Sequence, residues 1–179
     1  GARELAWGDL VLVVSTVRCY YAGLHYLGVQ QFGPAPNPAW WCYAAEHLFV
    51  WLIPALLFYL GGKVFSHSRI RAIDVLGTVL FAELPLLGMT LIYLTPPMQM
   101  MASMDMRMSP QELLAQSFIL PAVILSLLGI PFLLLTLEWL FNDLKVSCNL
   151  KGGHLWAVFL VGIFGGDFLC CMLISHLYG

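Results

Sequence analysis

Charge is what this sequence holds least of. Eight Lys and Arg and ten Asp and Glu are spread over 179 residues, 10% of the chain, for a formal net charge of −2. Soluble globular domains carry about 25% charged residues, so too few polar groups are present to cover a fold in water. The slight negative balance argues against nucleic-acid binding, which asks for a basic face. Cysteine pairing patterns are missing as well. Cys19, Cys42, Cys148, Cys170 and Cys171 are odd in number and show no C-x-x-C spacing, which argues against a disulfide framework or a zinc ribbon. There is no G-x-S-x-G, no phosphate loop, no dinucleotide fingerprint and no H-E-x-x-H. Ser15, Ser117, Ser126 and Ser175 have no evident base beside them in sequence. No enzyme activity and no cofactor is expected.

What is present is apolar: 60% of residues are hydrophobic and mean hydropathy is +0.84. About 20 apolar residues cross a bilayer's hydrocarbon core. Five such runs predict an all-α, five-span integral membrane bundle in one domain over residues 1–179, with spans near residues 5–29, 40–64, 71–94, 112–141 and 154–178. Trp40, Trp41 and Tyr43 read as an interfacial aromatic belt. Pro54, Pro85, Pro121 and Pro131 predict kinks, because proline removes a helical donor. Lys and Arg mark the cytoplasmic side of a membrane protein. With the N-terminus inside, inner segments hold Arg3, Lys63, Arg69, Arg71, Lys145 and Lys151, and outer segments hold only Arg107. The orientation expected is N-in, C-out.

Intramembrane charges are costly, about 2.5–3.5 kcal/mol on insertion scales, and mark sites or partners. Arg18, Glu83 and Asp167 lie 13, 12 and 13 residues into the first, third and fifth spans, hence at one depth to within a helical turn. This intramembrane charge cluster predicts that Arg18 bridges Asp167, Glu83 or both. Gly162 and Gly166 form a G-x-x-x-G spacing beside Asp167, expected to allow close helix packing. A cytoplasmic-side polar cluster is expected from Asp9, Asp74, Glu138, Arg69 and Arg71.

No metal site is expected, although two groups carry ligand chemistry. His25, Glu46, His47 and His176 are a set that zinc or iron would accept. The run from Met98 to Met108, with Met100, Met101, Met104 and Met106 at its centre, holds soft thioethers suited to Cu(I).

The five-span, N-in layout resembles the Yip1-domain membrane proteins, particularly their bacterial branch. Local similarity runs from Ser68-Arg69-Ile70-Arg71-Ala72-Ile73-Asp74 through Gly77 and Glu83-Leu84-Pro85, with Glu46-His47-Leu48 at the opening of the second span. The Asp-Leu-x-Gly-Pro signature of the eukaryotic members is not in this sequence. The resemblance implies a small helical bundle in a bacterial cytoplasmic membrane, with a structural, trafficking or membrane-assembly role. Expected partners are the lipid bilayer, a second copy and other membrane proteins. The alternative is a small ion- or proton-coupled transporter or channel built on Arg18, Glu83 and Asp167.

Overall fold

A backbone inside hydrocarbon has no water to bond, so an apolar run satisfies its own N–H and C=O groups by coiling. The computed structural model describes residues 2–33, 39–104 and 108–178, and most of them are helical. Four helical stretches are long and apolar enough to cross a membrane: Trp40–Phe65, Ala72–Tyr93, Ile119–Ser147 and Gly152–Leu177. Their large side chains turn outward; Leu120, Leu127 and Leu134 are each more than half exposed. In a water-soluble protein that face would drive aggregation, and in lipid it is solvated.

In chain order the elements are α1 (Ala2–Ala22), β1 (His25–Tyr26), β2 (Phe32–Gly33), α2 (Trp40–Phe65), α3 (Ala72–Phe81), α4 (Leu86–Tyr93), α5 (Pro96–Ala102), α6 (Pro110–Leu114), α7 (Ile119–Ser147), α8 (Gly152–Leu160) and α9 (Gly166–Leu177). A π-helical turn, Val161–Gly165, joins α8 to α9. Helix α1 packs mainly on α3, and its buried residues Gly8, Val11, Ser15, Cys19 and Ala22 form a stripe repeating every three or four residues. The stripe is made of small residues, and a Cβ on Gly8 would come within 2.6 Å of Leu80. Gly8 lies against Leu80 and Arg18 against Leu87, so α1 runs parallel to α3 and α4.

Three boundaries depart from the sequence expectation. The first helix stops at Ala22, seven residues early. Gly23 adopts φ +61° and closes the end: Leu24 N–H donates to Cys19 O (3.1 Å) and Gly23 N–H to Tyr20 O (3.4 Å). The third run breaks at residues 82–85. Pro85 has no N–H for Phe81 O, and Leu84 N–H takes that carbonyl instead (3.1 Å). The fourth run divides into α6 and α7, with Pro121 in the first turn of α7, where its missing donor costs nothing. The methionine-rich segment is partly helical, as α5, with Met98 fully buried.

The end of α1, the start of α2 and the end of α9 meet at one end of the bundle, where Tyr178 reaches His25 and Glu46. At the other end, Asn149 Nδ2 donates to Ser68 Oγ (2.8 Å) and the His154 ring stacks on Phe65.

Candidate functional site

Residues 24–33, after the end of α1, turn back into the bundle. Strands β1 and β2 pair antiparallel, His25 opposite Gly33 and Tyr26 opposite Phe32, and Leu27 N–H closes the loop on Gln31 O (2.9 Å). Irregular backbone at this depth is tolerated only where protein covers it. Leu24, His25, Tyr26, Gly28 and Val29 are all buried, which meets that condition.

Two polar groups hold this re-entrant hairpin. The first centres on Glu46, which is 0% exposed near the start of α2. Its Oε2 accepts from Tyr26 N–H (3.0 Å), and its Oε1 accepts from His25 Nδ1 (2.9 Å) and from the Tyr178 hydroxyl. The Tyr178 hydroxyl also lies 3.0 Å from His25 Nδ1, and the His25 ring packs on Tyr43 at 4.2 Å between centroids. One carboxylate thus joins the hairpin, α2 and the end of α9. The second group is at the hairpin tip. Asp167, in the first turn of α9, accepts from Gln30 N–H (3.1 Å) and Gln31 Nε2 (2.9 Å). A Cβ on Gly28 would run into Asp167 Oδ1, so only glycine lets the tip come this close.

His47 sits beside this network. Its Nδ1–H donates to Tyr43 O (2.8 Å), which leaves Nε2 to accept from Ser15 Oγ (2.9 Å). Ser15 therefore does have a base beside it, on α2, 32 residues away in sequence. The tautomer is the one a nucleophilic serine would require. Both side chains are buried, Ser15 at 5% and His47 at 1% exposure.

The intramembrane charges do not converge. Arg18, expected to bridge the two acids, donates Nη1–H to Leu87 O (3.3 Å) and forms no ion pair with either acid. Equal depth was not sufficient, because the three side chains leave their helices toward different neighbours. Asp167 turns to the hairpin. Glu83, at the break between α3 and α4, turns into a cavity of about 10 Å³ lined by Val29, Val50, Pro54, Val79, Leu86, Thr136 and Leu140.

Gly162 and Gly166 are both packing points. A Cβ on Gly162 would enter the Phe58 ring, and one on Gly166 would lie 3.3 Å from Pro54 Cγ. Of the residues expected on the cytoplasmic side, Arg71 and Asp74 pair across one turn (2.9 and 3.0 Å), while Asp9, Arg69 and Glu138 are exposed. Tyr43, read as part of an aromatic belt, is buried; Trp40 and Trp41 are exposed.

The four imidazole and carboxylate candidates are not brought together. His25 and Glu46 bond each other, both His47 nitrogens are taken, and the His176 Nδ1–H donates to Met172 O on the surface. Among the described residues, no three His, Cys, Asp or Glu side chains are placed to hold a metal. Met100 and Met101 lie on α5 and Met104 just beyond it; Met106 and Arg107 lie outside the described residues.

The hairpin and the Ser15–His47 pair were not visible in the chain as written, but Gly23 and Gly28 were the available signals for the former. Comparison with known proteins finds no match: no family model, no curated protein and no solved structure is similar to this chain.

Proposed function

We propose that this chain is a five-span, N-in/C-out, non-enzymatic membrane protein of the Yip1-like type, serving a structural, trafficking or membrane-assembly role in a bacterial cytoplasmic membrane. Its partners are lipid, a second copy and other membrane proteins. Helix α1 is the fifth span: 21 residues at 1.5 Å rise reach about 32 Å. The meeting of the ends of α1 and α9 at one face of the bundle supports that count, and the six-to-one Lys and Arg distribution supports the orientation.

One observation carries the non-transporting reading. Most interior polar groups are spent on one another, on the backbone or on the hairpin, and the space beside Glu83 has room for about one water molecule. A transporter needs an aqueous route from one side to its intramembrane carboxylates. Asp167 instead spends both oxygens on the hairpin tip, as a structural clasp does.

Reconstituted vesicles test this. Proton and sodium flux should stay at the level of empty vesicles in both the wild type and Asp167→Asn. Flux well above that background, lost in Asp167→Asn, would move the assignment to a transporter.

A further inference from the structure

The hairpin tip leaves amide groups on the lipid-facing surface, deep in the membrane. Its anchor, Asp167, is the 16th of 26 residues in the stretch Gly152–Leu177, ten residues or about 15 Å from the Leu177 end and well inside the hydrocarbon. Gln31, bonded to Asp167, is exposed, and Gln30 is half-buried. Among the helices α9 packs chiefly on α2, and its other flank, with Phe164 and Phe168 exposed near the tip, is left to the membrane. Hydroxyls at or near the lipid face satisfy themselves: Thr16, Ser126 and Ser175 each donate to a carbonyl three or four residues back. The two glutamine amides do not. Gln31 gives one Nε2 hydrogen to Asp167 Oδ2 (2.9 Å), which fixes the orientation of the amide because a carboxylate only accepts. Its Oε1 accepts from the Cys171 thiol (3.4 Å). One N–H and one lone pair of Gln31 are left over, and the Gln30 carboxamide has no hydrogen-bond partner among the described residues.

Unpaired amide hydrogens and lone pairs are costly in hydrocarbon, where no water replaces the missing partner. Lipid tails offer neither donor nor acceptor, and headgroups lie outside this depth. What Gln31 has left, one donor and one acceptor on the same planar group, is what a second Gln31 returns. A twofold axis sets a residue against its own copy. We propose that the hairpin tip and the exposed flank of α9 form a homodimer interface within the membrane, with Gln31 on the twofold axis and Gln30 beside it. The two Gln31 amides exchange a reciprocal pair of N–H···O bonds, each Nε2–H donating to Oε1 of the other copy. Carboxamides bonded across helices are a common glue inside bilayers. Asp167 holds the amide in place before association, so little side-chain freedom is lost on pairing. The interface rests on the membrane-spanning reading above and names the face that the second copy occupies.

Fluorescently labelled full chain, diluted into liposomes over a range of protein-to-lipid ratios, tests this by counting photobleaching steps. The wild type should bleach in two steps and pass to one step only on dilution. Gln31→Leu removes the reciprocal pair and should shift the midpoint about tenfold toward higher density, since each bond between membrane helices is modest. That variant also loses a bond to Asp167, so the position of the interface is read independently by oxidative cross-linking with copper phenanthroline in native membranes. Gln31→Cys, in a Cys171→Ser background that prevents a disulfide within one chain, should give a band of twice the chain's mass. Its yield should far exceed that of Leu127→Cys, an exposed position on α7. Single-step bleaching at every density would overturn the interface. A midpoint unmoved by Gln31→Leu, or cross-linking no greater than at Leu127, would overturn it too. A cross-linked band of another mass would give the face to a different membrane protein and end the dimer proposal. Should Gln31→Leu not fold, the wild-type dilution series and the cross-links decide. Flux judges the functional reading separately. A monomer without flux loses the interface alone, and a dimer paired through Gln31 that carries flux loses the non-transporting reading alone.

Discussion

Replacing Glu46 by alanine is the perturbation with the largest expected consequence, since three elements depend on one side chain. Three donors lose their acceptor: the His25 ring N–H, the Tyr26 backbone N–H and the Tyr178 hydroxyl. His25 and Tyr26 are both about 1% exposed, so neither can turn to water. An unsatisfied buried donor costs about 1–3 kcal/mol, which gives about 2–6 kcal/mol for the two buried groups. Tyr178 is only partly buried and recovers a partner from solvent. Glu46→Gln keeps one acceptor oxygen and should cost about half as much. Equilibrium unfolding in mixed micelles should therefore rank wild type above Gln and Gln above Ala. Hydrogen exchange at the Tyr26 amide should accelerate in the same order, because that proton is held by the carboxylate itself. An alanine variant within about 0.5 kcal/mol of wild type, well under the cost of one orphaned donor, with Tyr26 exchange unchanged, would refute the account of the clasp.

Three further outcomes follow from the geometry. Gly162→Ala should destabilise the bundle by about 1–3 kcal/mol through overpacking against Phe58, and Phe58→Leu should recover much of that loss in the double variant's unfolding curve. Ser15 should stay unlabelled by a fluorophosphonate probe in native membranes, since both Ser15 and His47 are buried; labelling abolished by His47→Gln would defeat the non-enzymatic reading. Outside the membrane spans, Ser109 backbone and hydroxyl bonds hold the Glu112 carboxyl below its ordinary range. Its contribution to α6 is therefore present above the ordinary glutamate pKa and is lost as pH falls through the lowered one. Amide protection in α6 should drop on acidification in the wild type, and the acid-dependent part should be missing in Glu112→Gln.

The long apolar runs made the helices around Trp40–Phe65 and Gly152–Leu177 legible within a residue or two, because lipid leaves the backbone no alternative. The re-entrant hairpin was hidden for the same reason. Leu24, Tyr26, Leu27 and Val29 continue the apolar run of α1, and hydropathy cannot tell a residue facing lipid from one facing a bundle interior. Gly23, followed soon by Gly28, was the local sign that the helix ends. Depth along a helix could be read from residue counts, which is how Arg18, Glu83 and Asp167 came to be aligned. Direction around the helix could not, and direction decided that Arg18 met a carbonyl and Asp167 a hairpin. Asp167 and Glu46 were both named as polar residues inside or beside spans, but their common role emerged only with the loop between them. That role required contacts across more than a hundred residues.

The order in which a ribosome delivers these parts matters for the hairpin. Its contacts from Asp167 and Tyr178 are both supplied only after α1 to α8 have been synthesised. Until then the loop carries Gln30 without its acceptor and Glu46 short of one donor, exposed to whatever the translocation machinery or nearby lipids offer. The nascent chain therefore passes through a stage in which the hairpin is built but unsecured, and insertion of α9 completes it. Truncation or slow insertion of that helix should leave the opening segment as the part that quality-control proteases recognise first.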